Sequence, residues 1–201
     1  MKKNTKELIL FEAFKLFGSM TYEQVTYNEL EAATGLTRGS VMYHYGTKED
    51  LFKTMCDTYI LNGSSVLDSL NESMSSKKTL LDFINQYIEG IDDLKKKFYA
   101  DGVKNFNFAF INITNQATYY YPNFAHNALK WQAMQIQFWK NVIISAIKRK
   151  EIRADIDVDI LADSFEDIYC GIAYIGQGLP DGIEIRRVRK AFYFLYNLAK
   201  I

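Results

Sequence analysis

Apolar residues recur along most of this chain at the three- and four-residue spacing of a helix, and strict alternation is rare, so the pattern predicts an all-α fold. A first helix spans about residues 5–17, with Ile9, Ala13, Leu16 and Phe17 on one stripe. Thr26 and Glu29 have the spacing of a capping box and start a second helix. Gly35 ends it, because glycine accepts the left-handed conformation a helix terminus needs. Thr37 can cap a third helix almost at once, with Leu30, Ala33, Leu36, Val41 and Tyr45 turned inward. Thr47 and Asp50 form another capping box, for a fourth helix that carries Leu51, Phe52, Met55 and Tyr59 and continues toward Leu70.

Residues 71–78 are polar and serine-rich and read as a turn. A helix follows over 79–94, with Leu80, Phe83, Ile84, Tyr87 and Ile91 in register and a solvated basic end at 95–97. The segment 98–121 is aromatic and rich in asparagine. Phe106, Phe108 and Phe110 alternate there, but a lone strand has no partner, so the segment reads as a short helix with irregular flanks. A long helix covers 124–150 and closes on Lys148, Arg149 and Lys150, which suit the negative end of its dipole. Asp157 opens the next helix, to about Gly176; a Gly- and Pro-containing break follows, and 183–200 forms the last helix.

The second and third helices make a helix-turn-helix, which lays its second helix in a DNA major groove. Thr37, Arg38, Gly39, Ser40, Tyr43 and His44 fall on the outer side of that helix or at its start. Arg38 can make paired hydrogen bonds to guanine, Ser40 can reach several base edges, and Tyr43 and His44 suit phosphates or thymine methyls. Thr26 and Tyr27 join the candidate DNA-binding set, as does Lys48, whose charge lies near a helix N-terminus that already favours a phosphate.

The run GLTRGSVMYHYGTKEDL at 35–51 resembles the DNA-binding domain of the TetR family of one-component repressors, whose usual pattern is G-V-S-x-G-T-L-Y-x-H-F-x-S-K-E-x-L. ILFEAFKLFG at 9–18 resembles that family's first helix, and the spacing from Phe17 to Gly35 and Lys48 fits. The resemblance covers about the first quarter of the chain. Three positions depart from the pattern. Glu31 stands where a small residue is usual and must bend outward or pair with a cation; Met42 replaces an aromatic, and Gly46 a proline. Residues 146–155 are similar to the family's interhelical link, with Lys150 in place of glycine. The resemblance implies a helix-turn-helix head over 1–47 and a helical effector-binding and dimerisation domain over 48–201. It also implies that the fourth helix acts as a lever between them, and that the last two helices build a four-helix dimer interface. Phe165, Ile168, Ile172, Ile175, Val188, Phe192 and Leu195 are the candidates for that interface.

Charge adds little to the DNA reading. The chain is formally neutral, and the lysines and arginine through Met55 are cancelled by as many acids. A neutral head gains little non-specific attraction to phosphates, so the disposition of its charges matters more than their sum. Cys56 and Cys170 lack C-x-x-C spacing and read as small hydrophobes in a reducing cytoplasm. The N-terminus lacks a signal-peptide apolar run, no segment approaches a membrane span, and the sequons at Asn62, Asn71 and Asn112 are therefore chance matches.

Enzyme chemistry finds no support. His44 belongs to the DNA motif, His126 has no nucleophile or metal-spaced partner, and no phosphate-binding glycine loop is present; Gly171, Gly176 and Gly178 suit close packing at a dimer seam. The acidic run Asp155, Asp157, Asp159, Asp163, Glu166 has calcium-loop spacing but Ile160 where that loop requires glycine, so no metal or cofactor is expected. Aromatic residues among 98–121 and on the later helices could line an apolar pocket, with Phe106, Phe110, Trp131, Phe138, Tyr169 and Tyr174 as candidates. Few charges sit among them, which favours a hydrophobic or aromatic effector. The reading is a homodimeric, ligand-responsive repressor of a palindromic DNA operator. The alternative is a helical interaction module with a vestigial DNA-binding head.

Overall fold

Side-chain caps decide where most helices of this protein begin. The computed structural model describes residues 4–61 and 79–201, and nine α-helices lie among them. They are α1 (Thr5–Ser19), α2 (Tyr27–Thr34), α3 (Arg38–Tyr45), α4 (Lys48–Cys56), α5 (Leu80–Ala100), α6 (Phe106–Tyr120), α7 (Phe124–Lys148), α8 (Val158–Gly176) and α9 (Ile185–Ala199). Asn4 and Glu7 form a full capping box at α1, Thr47 and Asp50 at α4, and Thr79 and Asp82 at α5. At α2 only half of the expected box exists: Thr26 accepts the Glu29 N–H at 3.3 Å, and Glu29 does not reach back. Gly35 takes the left-handed conformation at φ 69°, as the turn requires. α4 runs on into one turn of π-helix, Asp57–Leu61; the expected continuation toward Leu70 and the turn at 71–78 lie outside the described residues.

Two segments differ from the pattern reading. The aromatic stretch folds as a regular helix of 15 residues, α6, rather than a short one. Its alternating phenylalanines are resolved by helical geometry: Phe106 turns into the core, Phe110 packs against it one turn on, and Phe108 is exposed between them. The basic run 95–97 lies inside α5 rather than beyond it. Lys95 Nζ donates to the Ile183 carbonyl at 3.0 Å and Lys96 pairs with Asp92 at 2.7 Å, so both charges are used by the fold. Ala33, expected inside, is exposed, since α2 is short and buries fully only Leu30.

The apolar interior has two parts. One gathers α1 to α4 and the π-turn around Phe14, Phe17, Leu51 and Phe52, and it continues onto α6 through Phe106, Ala109, Ile113 and Ala117. α6 therefore forms the floor of the N-terminal head. Its approach to α1 is close: a Cβ added to Gly18 would lie 2.7 Å from Ala109 Cβ. Asn112 and Gln116 of α6 donate side-chain N–H groups to the carbonyls of Phe17 and Met20, which α1 leaves open at its end.

The other part unites α5, α7, α8 and α9 around Trp139, which stacks on Phe165 at 4.5 Å and meets Phe192 edge-on at 5.7 Å. Glu151 holds this part together from a distance, accepting the Leu80 and Leu81 N–H groups at the start of α5 at 2.9 and 3.2 Å. Gly176 is required within the chain itself, because a Cβ there would lie 2.7 Å from the Ile183 nitrogen. That corrects its expected place at a seam between protomers. Gly171, by contrast, is exposed and faces open space. Among the described residues no helix is long and apolar enough to cross a membrane.

Candidate nucleic-acid interface and ligand pocket

α3 is anchored on one side and open on the other. Val41 and Tyr45 sink into the head core, and the Tyr45 hydroxyl donates to the Lys6 carbonyl at 2.7 Å, fixing α3 against α1. The opposite side carries Thr37, Arg38, Gly39 and Tyr43, all exposed, with Ser40 and His44 half-buried beside them. Tyr43 is 85% exposed and meets His44 edge-on at 5.2 Å. Thr37 caps α3 by accepting the Ser40 N–H at 3.3 Å, so its hydroxyl is partly engaged. The Arg38 guanidinium lies 4.5 Å from the centre of the Tyr27 ring, a cation–π contact that holds the arginine on the outer face. Tyr27 thus acts through Arg38, while Thr26 is occupied as the α2 cap.

Two charged residues behave differently from the sequence expectation. Glu31 neither bends outward nor pairs with a cation. Its Oε1 accepts the backbone N–H of Arg38, across the turn between α2 and α3, so the departure from the usual small residue becomes a cap for the recognition helix. Lys48 is turned inward: Nζ donates to the carbonyls of Tyr22 and Val25 at 2.8 and 3.0 Å and sits 4.1 Å from the Tyr22 ring centre. Burial lowers its pKa, and its charge is spent on the loop before α2. Lys15 with Glu12 and Lys53 with Glu49 are also paired, and Arg38 is the one lysine or arginine that α3 itself carries.

A cavity of about 230 Å³ opens where α5, α6, α7 and α8 meet. Phe106, Phe110, Trp131, Tyr169 and Tyr174 line it, as the sequence suggests, whereas Phe138 lies outside and packs on Phe83 at 5.1 Å. Tyr87, Asn107, Ile111, Gln135, Glu166, Cys170 and Ala173 complete the wall. Glu166 is only 3% exposed, and its Oε2 has no hydrogen-bond partner. The Cys170 thiol donates to Oε1 at 3.7 Å. Burial is the main influence on the carboxyl and raises its pKa, with Asp167 adding to it; the Cys170 thiol and the nearby Trp139 indole N–H act the other way. The indole nitrogen itself falls short of hydrogen-bond geometry and is also unpartnered. Cys170, rather than a simple small hydrophobe, is a thiol pushed up to about 12 by burial and by this neighbour. Glu166 had entered the sequence reading only as the last acid of the calcium-like run. Its signal is a glutamate on the same helical face as Tyr169 and Cys170. The rest of that run is dispersed: Asp157 caps α8, and Asp159 pairs with Lys140 at 2.9 Å.

The expected dimer residues divide by burial. Phe165, Ile172, Val188 and Phe192 are buried in their own chain, Ile168 and Leu195 pack partly against the same core, and Ile175 is exposed. The first four, expected at the interface, instead pack into the core of their own protomer. Both helices are apolar on more than one side, and the outward side carries Ile160 and Ile175 on α8 and Phe194 and Leu198 on α9, the last two 64% and 56% exposed.

The model of the family described as bacterial regulatory proteins, tetR family, matches residues 9–55, the span from mid-α1 to α4. Over that span the chain is similar to the tetR family. Its members are regulatory proteins rather than enzymes. Over 49 residues, 24% of this chain and 26% of the relative, it is 43% identical to the HTH-type transcriptional repressor AcnR of Corynebacterium glutamicum. Over 87 residues, 43% of this chain and 45% of the relative, it is 29% identical to the HTH-type transcriptional regulator YezE of Bacillus subtilis strain 168. The chain thus spans about a quarter of AcnR and under half of YezE. The TetR-family fold extends further than the sequence similarity. The crystal structure of regulatory protein TetR from Rhodobacter sphaeroides superposes with a TM-score of 0.67 at 14% identity, covering 97% of this chain and 98% of that one.

Proposed function

We propose that this TetR-family chain is a ligand-responsive transcriptional repressor that binds a palindromic operator as a homodimer in the cytoplasm. The observation that carries the reading is the α3 face. A helix pinned by Val41 and Tyr45 presents Arg38, Ser40, Tyr43 and His44 outward, and Glu31 and Thr37 cap its start. Side chains able to read bases are held there on a rigid element. AcnR, to which 49 residues of the chain are 43% identical, is a repressor by name, which supports repression as the mode.

The dimer forms through the outward sides of α8 and α9, with Ile175, Phe194 and Leu198 as its apolar contacts and Gly171 allowing close approach. An apolar effector with an aromatic or similar body fills the cavity between α5 and α8. α6 gives it a route to the head, since Phe106 belongs both to the cavity wall and to the head core. α4 provides a second route: Asp57 in its π-turn accepts the Tyr121 hydroxyl at 2.7 Å, just past α6. Effector binding changes the position of the two heads, and DNA affinity falls because both half-sites are no longer engaged together.

Selection of operators from a random duplex pool tests the reading, run in parallel with wild type and Tyr43→Ala. Wild type alone enriches a two-fold symmetric site. Equal enrichment by both proteins, or by neither at low and moderate salt, would leave α3 without a reading role and favour an interaction module.

A further inference from the structure

Glu166 is the one acid in the cavity wall, and the cavity is otherwise unusually aromatic. The carboxyl is almost wholly removed from water, the donors beside it are the neutral Cys170 thiol and Trp139 indole, and among the described residues no lysine, arginine or histidine pairs with it. A buried carboxylate with no cation beside it is costly. Here the Cys170 thiol is directed at Oε1 and the Trp139 indole lies beside the carboxyl, so both neighbours are neutral and the charge itself is uncompensated.

The aromatic rings around it add a second, independent preference. Tyr87, Phe106, Phe110, Trp131 and Tyr169 present π-systems to one small space, and ring faces attract cations. A desolvated carboxylate and a set of aromatic faces select the same ligand chemistry. From these, and resting on the ligand-binding reading above, we infer that the effector is an organic ammonium ion with an apolar body, its positive charge seated against the Glu166 carboxylate. The body occupies the aromatic part of the cavity, and the volume of about 230 Å³ limits it to a molecule of modest size. The scarcity of charge along the aromatic stretches favours a hydrophobic or aromatic effector over a strongly charged one. Glu166, placed by α8 against α7, changes that expectation to a monocation.

The test uses the full-length protein and three series of probes of matched length: phenylalkylammonium ions from phenethyl to phenylbutyl, the corresponding phenylalkanols, and the corresponding phenylalkanoates. Affinities are read by isothermal titration calorimetry. Tryptophan emission gives a local report, because Trp131 lines the cavity and Trp139 abuts Glu166, and the chain has no other tryptophan. The ammonium ions bind wild type at least about tenfold more tightly than the alcohols of equal length, and the carboxylates bind weakest. Glu166→Gln removes the ammonium preference and leaves the alcohol affinities nearly unchanged. Equal affinities for ammonium ions and alcohols in wild type overturn the inference while leaving an apolar effector pocket intact. Retention of the preference in Glu166→Gln overturns it as well. Should no probe of any charge bind wild type, the pocket reading fails and takes the inference with it. The wild-type comparison stands even if the variant does not fold.

Discussion

The carboxylate of Glu31 accepts the backbone N–H of Arg38, so the last turn of α2 caps the first turn of the recognition helix. At this position a long acidic side chain is an obstacle on pattern grounds. In the structure it satisfies one of the N–H groups that α3 leaves open, beside the one taken by Thr37, and its charge meets the positive end of the α3 dipole.

Glu31→Ala should therefore lower stability by about 1 kcal/mol, the usual value of a lost cap. Glu31→Gln, which keeps an acceptor but loses the charge, should lose less. Urea unfolding of the three proteins measures this, and an alanine variant as stable as wild type would show that the cap contributes nothing.

Lys48 and Arg38 should have opposite phenotypes. Lys48→Met removes two hydrogen bonds to the loop before α2, so it lowers the melting temperature and changes the salt dependence of DNA binding little. Arg38→Ala leaves the melt nearly unchanged, costs about 1–3 kcal/mol of operator affinity and relaxes selectivity at one base pair in each half-site. Thermal melts and binding isotherms at several salt concentrations separate the two. A Lys48 variant that melts normally but binds DNA with a shallower salt slope would return the lysine to the phosphate backbone.

Substitutions on the outer and inner sides of α8 and α9 should likewise diverge. Phe194→Asp or Leu198→Asp gives a folded monomer, while Phe165→Ala or Phe192→Ala costs about 3–5 kcal/mol of fold stability through loss of buried ring packing around Trp139. Size-exclusion chromatography with circular dichroism decides between dissociation and unfolding. A dimer that survives both aspartates places the interface elsewhere.

The buried carboxyl of Glu166 carries a pH signature. Its folded pKa is raised above the ordinary 4.5, chiefly by burial, so the folded state holds its proton more tightly than the unfolded chain. Stability from this group is then greatest at low pH and declines as pH rises through the ordinary value and through the raised folded value. Tyr87, Tyr169 and Cys170, which face the carboxyl, have their own ionisations pushed up by burial and stay neutral across this window. Glu166→Gln removes the decline, so the variant's stability advantage over wild type should grow with pH above the ordinary carboxyl range and vanish below it. Parallel melts of both proteins from pH 4 upward, in steps of about one unit, measure it. A gap that is constant with pH would mean that folding does not shift the ionisation of this carboxyl.

What could be read from the sequence was mostly local. Thr37, Thr47 and Asp157 cap helices with partners two or three residues away, and Gly35 needs only its own backbone. Val41 and Tyr45 follow from the 3.6-residue period. The errors lie where a side chain has a distant partner or a helix is apolar all round. Glu31 reaches seven residues on, Lys48 reaches back to Tyr22, and Lys95 meets Ile183 far along the chain. On α8 and α9 periodicity gives two apolar sides with no means of ranking them, which is why Phe165 and Phe192, buried in their own chain, could be taken for interface residues. Five of the six aromatics expected at a pocket line the cavity, whose wall is rich in rings, whereas the acid among them reads in the sequence only as part of the calcium-like run.

The dual role of α6 bears on how such regulators can be recombined. A hybrid made by joining a foreign head at Thr47 would keep Ala109, Asn112 and Gln116 from one parent beneath an α1 from the other. Gly18 admits the α6 backbone so closely that even a methyl group there would clash, and the polar clamp is matched to carbonyls at one helix end. Transplanted specificity in this protein therefore requires the α6 surface to travel with the head, and the workable unit of exchange is discontinuous in sequence.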